Sequence, residues 1–81
     1  MTPEAVFGRV LQQLRRERHL SQERLAALSG VHRTYISLLE RGLNSPSLSM
    51  LFQLTGPLGV TPSSVLLQVE QELSKSAQAP A

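Results

Sequence analysis

Residues 21–42 read Ser-Gln-Glu-Arg-Leu-Ala-Ala-Leu-Ser-Gly-Val-His-Arg-Thr-Tyr-Ile-Ser-Leu-Leu-Glu-Arg-Gly, and they leave the chain little freedom in how it folds. Ser21 is a natural helix N-cap, because its hydroxyl accepts a bond from an otherwise orphan backbone N–H of the first turn. Leu25, Ala26 and Leu28 supply an apolar side, and the small Ala26 admits a close neighbour. Gly30 takes a positive φ without a Cβ clash, so one helix stops there and the chain turns into the next. The segment predicts two short helices joined by a Ser-Gly turn.

Projected at about 100° per residue, residues 33–41 divide into two sides. Ile36 and Leu39 fall together, with Tyr35 at their edge; Arg33, Thr34, Ser37, Leu38 and Arg41 fall opposite. The outer side offers a guanidinium, two hydroxyls and an apolar contact, which match guanine, assorted base-edge acceptors and the thymine methyl. A helix-turn-helix lays its second helix in the DNA major groove. An ordinary surface helix with a solvated outer face has the same polarity pattern, so the wheel alone leaves both readings open.

Charge distribution separates them further. Residues 1–41 hold seven arginines against four glutamates, +3, whereas residues 42–81 hold Lys75 against Glu70 and Glu72, −1. Arginine's planar fork suits phosphate and guanine, and a basic half around a groove-reading helix is what a DNA surface needs. At 81 residues the chain is one small domain, without room for an enzyme cleft beside a sizeable core. It has no cysteine, so neither disulfides nor thiolate metal sites can staple it. No stretch approaches the apolar length of a membrane span, and no signal-peptide pattern opens the chain. The expectation is a soluble cytoplasmic protein.

Along the chain, Pro3 and Glu4 open a first helix, with Val6, Phe7, Val10, Leu11 and Leu14 as its stripe and an end near Arg18 or His19. Leu20 precedes the Ser21 cap as a hydrophobic staple. After Gly42, Leu43-Asn44-Ser45-Pro46 is a loop by its turn chemistry. Ser47 caps a fourth helix with Leu48, Leu51, Phe52 and Leu54 inward, stopping or kinking near Thr55-Gly56 because Pro57 lacks a donor. Thr61-Pro62 opens a fifth, with Val65, Leu66, Val69 and Leu73 on its apolar face and Leu67 off it. No repeat or strand-like alternation occurs. The fold class is all-α, five helices, with residues 1–73 as one helix-turn-helix domain and residues 74–81 as a frayed tail. The expected core includes Val10, Leu14, Leu25, Ala26, Ile36, Leu39, Leu51, Leu54 and Leu66.

Taken with Leu20-Ser21-Gln22-Glu23-Arg24-Leu25-Ala26, Gly30-Val31, Ile36-Ser37-Leu38-Leu39-Glu40-Arg41-Gly42, Pro46-Ser47-Leu48 and Leu58-Gly59-Val60-Thr61-Pro62, the chain resembles the Cro and phage-repressor type of helix-turn-helix regulator over residues 8–68. Arg33-Thr34-Tyr35-Ile36-Ser37 is similar to the recognition helix of restriction–modification controller proteins. The resemblance implies phosphate contact by Gln22, base contacts by Arg33, Thr34, Ser37 and Leu38, and backbone contacts by Asn44 and Ser45. Arg41 and His32 join the backbone set, His32 either as a cap or pointing at phosphate. Arg33 as a phosphate clamp stays open beside its base-reading role. The resemblance also implies a partly buried Arg15–Glu40 salt bridge, which both helical wheels accommodate. Tyr35 is read as packing. Three departures stand out: His32 where Ser, Thr or Asp caps better, Leu43 where the family often has Lys or Arg, and the Thr55-Gly56-Pro57 break.

One recognition helix is a small interface, so the expectation is a homodimer on a palindromic double-stranded DNA operator. Leu58, Val60 and Leu67 are the candidate dimer surface, or else they complete the core. Controller protein, antitoxin and phage-type repressor are not separated. A protein-interaction module using the same fold is the alternative of a different class. A hydrolase is excluded, because two histidines, six carboxylates and the serines show no catalytic or metal-binding spacing. No cofactor, metal or small-molecule ligand is expected.

Overall fold

The computed structural model describes residues 1–78. Five helices follow one another: α1 Pro3–Glu17, α2 Gln22–Ser29, α3 Arg33–Glu40, α4 Leu48–Leu58 and α5 Pro62–Gln78. Short-range side-chain chemistry sets their starts. Thr2, Ser21, Ser47 and Thr61 each present a hydroxyl oxygen that accepts the backbone N–H three residues on, at 3.0–3.1 Å. The last three are the expected caps. Glycines in the left-handed region close α2, α3 and α4, namely Gly30, Gly42 and Gly59. The end of α1 uses His19 instead, at φ 56°. There the Leu20 N–H bonds the Arg15 carbonyl and the His19 N–H bonds that of Arg16, the paired reverse bonds of a Schellman end.

Helix α1 packs on α3 and α5, α2 on α3 and α4, and α4 on α5. Their shared core contains Val6, Phe7, Val10, Leu11, Leu25, Val31, Ile36, Leu39, Leu51, Leu54, Leu58, Val65 and Val69, with Leu14, Leu20 and Ala26 half-buried against it. The seat of α1 on α3 is a glycine: a Cβ on Gly8 would lie 2.3 Å from the Leu39 carbonyl oxygen. No larger residue permits this approach.

Several expectations fail, for a common reason. Leu66, expected in the core, is exposed, as are Leu28, Leu48 and Phe52. Helix α4 carries more apolar residues than one face holds, and its buried seam runs through Leu51, Leu54, Thr55 and Leu58. Thr55 belongs there because its hydroxyl donates to the Leu51 carbonyl at 2.9 Å, which leaves no unpaired polar group in the core. Leu58 therefore completes the core and is no dimer contact. Nor does α4 stop at Thr55-Gly56; it runs through Pro57 to Leu58. Proline disfavours a helical predecessor through a clash with its Cβ, and Gly56 has none. The missing donor falls in the last turn, where Gly59 and Val60 bond back to Gly56 and Thr55. Helix α5 likewise runs past residue 73 as far as Gln78, into the stretch expected to be a frayed tail. Residues 79–81 lie outside the described residues.

Candidate nucleic-acid interface

Helix α3 buries Ile36, Leu39 and Glu40 and presents its other side. Arg33 and Thr34 are exposed at its first turn, Ser37 and Leu38 are half-exposed behind them, and Arg41 is exposed at its end. Tyr35 is 42 % exposed, so it lies at the rim of the packing and not within it. The face offers the guanidinium, hydroxyls and apolar group of the sequence reading on one rigid support.

Both ends of α3 are held. At its start the His32 Nδ1 accepts the Thr34 N–H at 3.0 Å. This bond decides the tautomer: an Nδ1 that accepts carries no proton, so the neutral ring keeps its proton on Nε2, the atom facing away from the helix. Capping and pointing at phosphate are thus compatible in His32. At the other end Glu40, buried, receives Arg15 Nε at 2.6 Å and Arg15 Nη2 at 2.9 Å. Arg15 also donates to the Leu20 carbonyl at 2.8 Å, tying in the α1–α2 turn. The expected salt bridge is present. Burial alone would raise the Glu40 carboxyl above its ordinary range, but hydrogen bonds from Arg15 and Gln22 and the Arg15 charge hold it below. The Glu40 hydrogen bond raises Arg15 in turn.

Gln22, half-buried at the first position of α2, donates from Nε2 to Glu40 Oε1 at 3.0 Å. Its amide has a second N–H to offer, and its own backbone N–H belongs to the unpaired first turn of α2. The network therefore fixes a donor at the edge of the α3 face. Asn44 and Ser45 follow Gly42 at the C-terminal end of the same helix, Asn44 half-buried and Ser45 exposed, with the Leu43 N–H bonded to the Leu38 carbonyl. Gln22, His32, Arg33, Thr34, Ser37, Leu38, Arg41, Asn44 and Ser45 thus lie on or against one helix. The candidate dimer residues lie elsewhere, on α4, α5 and the link between them: Val60 is half-buried and Leu67 exposed.

Sequence reasoning missed one residue here. Glu23 Oε1 stands 3.6 Å from Arg33 Nη1, across the turn. Ten positions separate the two, and only the angle between α2 and α3 brings them together. Among the described residues no group of three His, Cys, Asp or Glu side chains could hold a metal ion, and no single helix is long and apolar enough to cross a membrane.

Comparison with known proteins agrees with this geometry. Residues 11–65 match the helix-turn-helix family HTH_3. The chain is 40 % identical over 62 residues to control protein C.BamHI of Bacillus amyloliquefaciens, covering 75 % of this chain and 76 % of that one. It is 40 % identical over 67 residues to control protein C.MunI of a Mycoplasma species, covering 82 % and 90 %. The crystal structure of the restriction–modification controller protein C.AhdI from Aeromonas hydrophila superposes with TM-score 0.73 at 39 % identity, over 75 % of this chain and 92 % of that one. The biofilm master regulator SinR, solved in complex with DNA, superposes with TM-score 0.71 at 33 % identity, over 74 % and 97 %. An exposed recognition helix held at both ends, on a fold shared with these regulators, places the chain in the HTH_3 family of DNA-binding, non-enzymatic helix-turn-helix transcription regulators.

Proposed function

We propose that this regulator binds a palindromic operator as a homodimer, in the manner of a restriction–modification controller, with α3 in the major groove of each half-site. Arg33, Thr34, Ser37 and Leu38 read base edges; Gln22, His32, Arg41, Asn44 and Ser45 hold the flanking backbone. The observation that carries this reading is the outer face of α3, whose exposed groups suit base edges while donors flank it at either end. Such a role requires residence with the DNA, in the cytoplasm.

Of the three residues read from the sequence as a dimer surface, Leu58 is in the core while Leu67 is exposed. Exposed apolar groups remain at Leu48 and Phe52 on α4 and at Leu66 and Leu67 on α5, and Leu48 and Leu66 line one shallow groove with Phe7 and Pro46. A second copy is the fitting occupant because residues 43–69 contain no charged side chain, Glu4 of α1 being the one charged residue on the groove's rim. A two-fold interface buries the same patch on both subunits, so a patch without charge leaves no unpaired charge in it. Reading two half-sites one DNA turn apart requires the two α3 helices to stand about 34–36 Å from each other.

Selection from random duplex DNA with the purified chain tests the reading. The expected product is a two-fold motif whose half-sites repeat at about one helical turn, bound with a steep negative salt dependence. Failure to enrich any motif, with salt-insensitive binding, would favour a protein-interaction module instead. Leu66→Glu is expected to shift the protein to monomer in sedimentation without unfolding it; an unchanged dimer would move the interface elsewhere.

A further inference from the structure

We infer that Glu23 determines specificity by positioning Arg33. It holds the guanidinium in the pose that reads a base and keeps it off the phosphate backbone. This rests on the assignment of Arg33 as a base contact.

Three features of the pair converge. Arg33 is the first residue of α3, where the helix's positive end disfavours a cation, and α3 has no acidic residue in its first turn. The missing negative charge comes from the neighbouring helix, with Glu23 Oε1 at 3.6 Å from Arg33 Nη1. Both side chains are open to solvent, 68 % and 53 % exposed, and an exposed pair of this kind adds little to stability. Its effect falls on where the guanidinium goes. An arginine fork bound along one edge still offers N–H groups on another, enough for the O6 and N7 acceptors of guanine. An unrestrained arginine at a DNA surface finds phosphates on every sequence. A carboxylate beside it weakens that competing contact by repelling the phosphate, while a base edge carries no net charge to repel.

The test measures affinities of the whole protein for the selected operator, its single-base variants and a scrambled duplex at one salt concentration. The proteins are wild type, Glu23→Gln, Arg33→Ala and the double variant. Glu23→Gln is expected to tighten scrambled DNA about two- to five-fold, the range an exposed ion pair supports. It should also reduce, by a similar factor, discrimination at the one base pair per half-site that Arg33 reads, with other positions and the melting temperature unchanged. In the Arg33→Ala background, Glu23→Gln should leave discrimination unaltered. Uniform tightening of every duplex with discrimination intact would overturn the inference while leaving Arg33 as a reader. If Arg33→Ala itself leaves every base preference unchanged, the base-reading assignment fails and the inference falls with it.

Discussion

Removing Arg15 while Glu40 stays is expected to take away a large share of the protein's stability. Glu40 is buried at 7 % exposure and its two oxygens receive three donors, two from Arg15 and one from Gln22. In Arg15→Leu only the neutral amides of Gln22 and Gln12 remain to support the charge, and a carboxylate is left in the interior facing a hydrocarbon. Stranding one partner of a buried pair costs about 3–5 kcal/mol. A domain of this length has a total stability of only about 4–12 kcal/mol, so the variant approaches the unfolding threshold. Its melting temperature should fall by more than about 12 °C, at about 4 °C or more per kcal/mol. The decisive comparison is Arg15→Leu with Glu40→Leu in one chain. The double variant strands no charge and fills the site with hydrocarbon, which is often neutral or better than the buried pair. It should recover most of the loss, even though it departs further from the natural sequence.

Urea denaturation followed by helical circular dichroism at neutral pH measures wild type, Arg15→Leu, Glu40→Leu and the double variant. A loss below about 1 kcal/mol in Arg15→Leu would place Glu40 in contact with water and refute the reasoning. So would a double variant no more stable than the worse single one. Acid titration gives an independent check. Folding lowers the Glu40 carboxyl from its ordinary 4.5, so the folded state binds its proton less readily than the unfolded chain. The stability this contributes is complete above about pH 4.5 and is lost as pH falls through the lower folded value. Wild type should show that acid-sensitive increment and the double variant should lack it.

Gly8→Ala should cost about 3 kcal/mol or more, because its Cβ meets backbone oxygens of α3 that cannot rotate away; a melting temperature within a few degrees of wild type would show that α1 and α3 separate easily. His19→Gly, at φ 56°, should gain about 0.5–1 kcal/mol by relieving the left-handed strain, as read from the urea midpoint. His32→Asn replaces a weak cap by a strong one and should stabilise by about 0.5–1 kcal/mol; with the Nε2 donor gone, all duplexes should bind less well by similar factors. Gln22→Ala should likewise weaken operator and single-base variants alike, whereas Arg33→Ala should cost about 1–3 kcal/mol and relax one position per half-site.

What was legible in the sequence was local. Ser21, Ser47 and Thr61 cap helices through bonds spanning three residues, and Gly30 and Gly42 end them through their own φ, so each signal sits where it acts. Ile36 and Leu39 could be assigned because α3 has few apolar residues and they share a side. On α4 that logic failed: with Leu48, Met50, Leu51, Phe52 and Leu54 in seven residues, hydrophobicity no longer distinguishes a face. The seam was chosen by Thr55, whose hydroxyl finds its acceptor within its own helix. Leu66 is exposed and Leu58 buried for a related reason, since apolar composition does not say which leucine meets another helix. Gly8 and Glu23 carried no sequence signal, because each matters through a partner that only the packing brings close.

The burial of Leu58 bears on how reading and pairing are joined in one small domain. In the proposed complex bases are read from α3, whereas the exposed apolar surface lies on α4 and α5. A homodimer reads two half-sites only if the distance between those two surfaces is constant, since a displacement of even one base pair, about 3.4 Å along the axis, sets the side chains against the wrong edges. Helix α3 reaches α4 and α5 chiefly through α2 and α1, with Leu25, Leu39, Leu54 and Leu58 buried between them. Gly8 sets how closely α1 approaches α3, and the Arg15–Glu40 pair fixes the rotation of that contact. None of these residues belongs to the proposed DNA-contacting set or to the exposed apolar surface. Loosening them should nevertheless weaken the operator more than a scrambled duplex, because only the operator demands that two copies of α3 arrive in register.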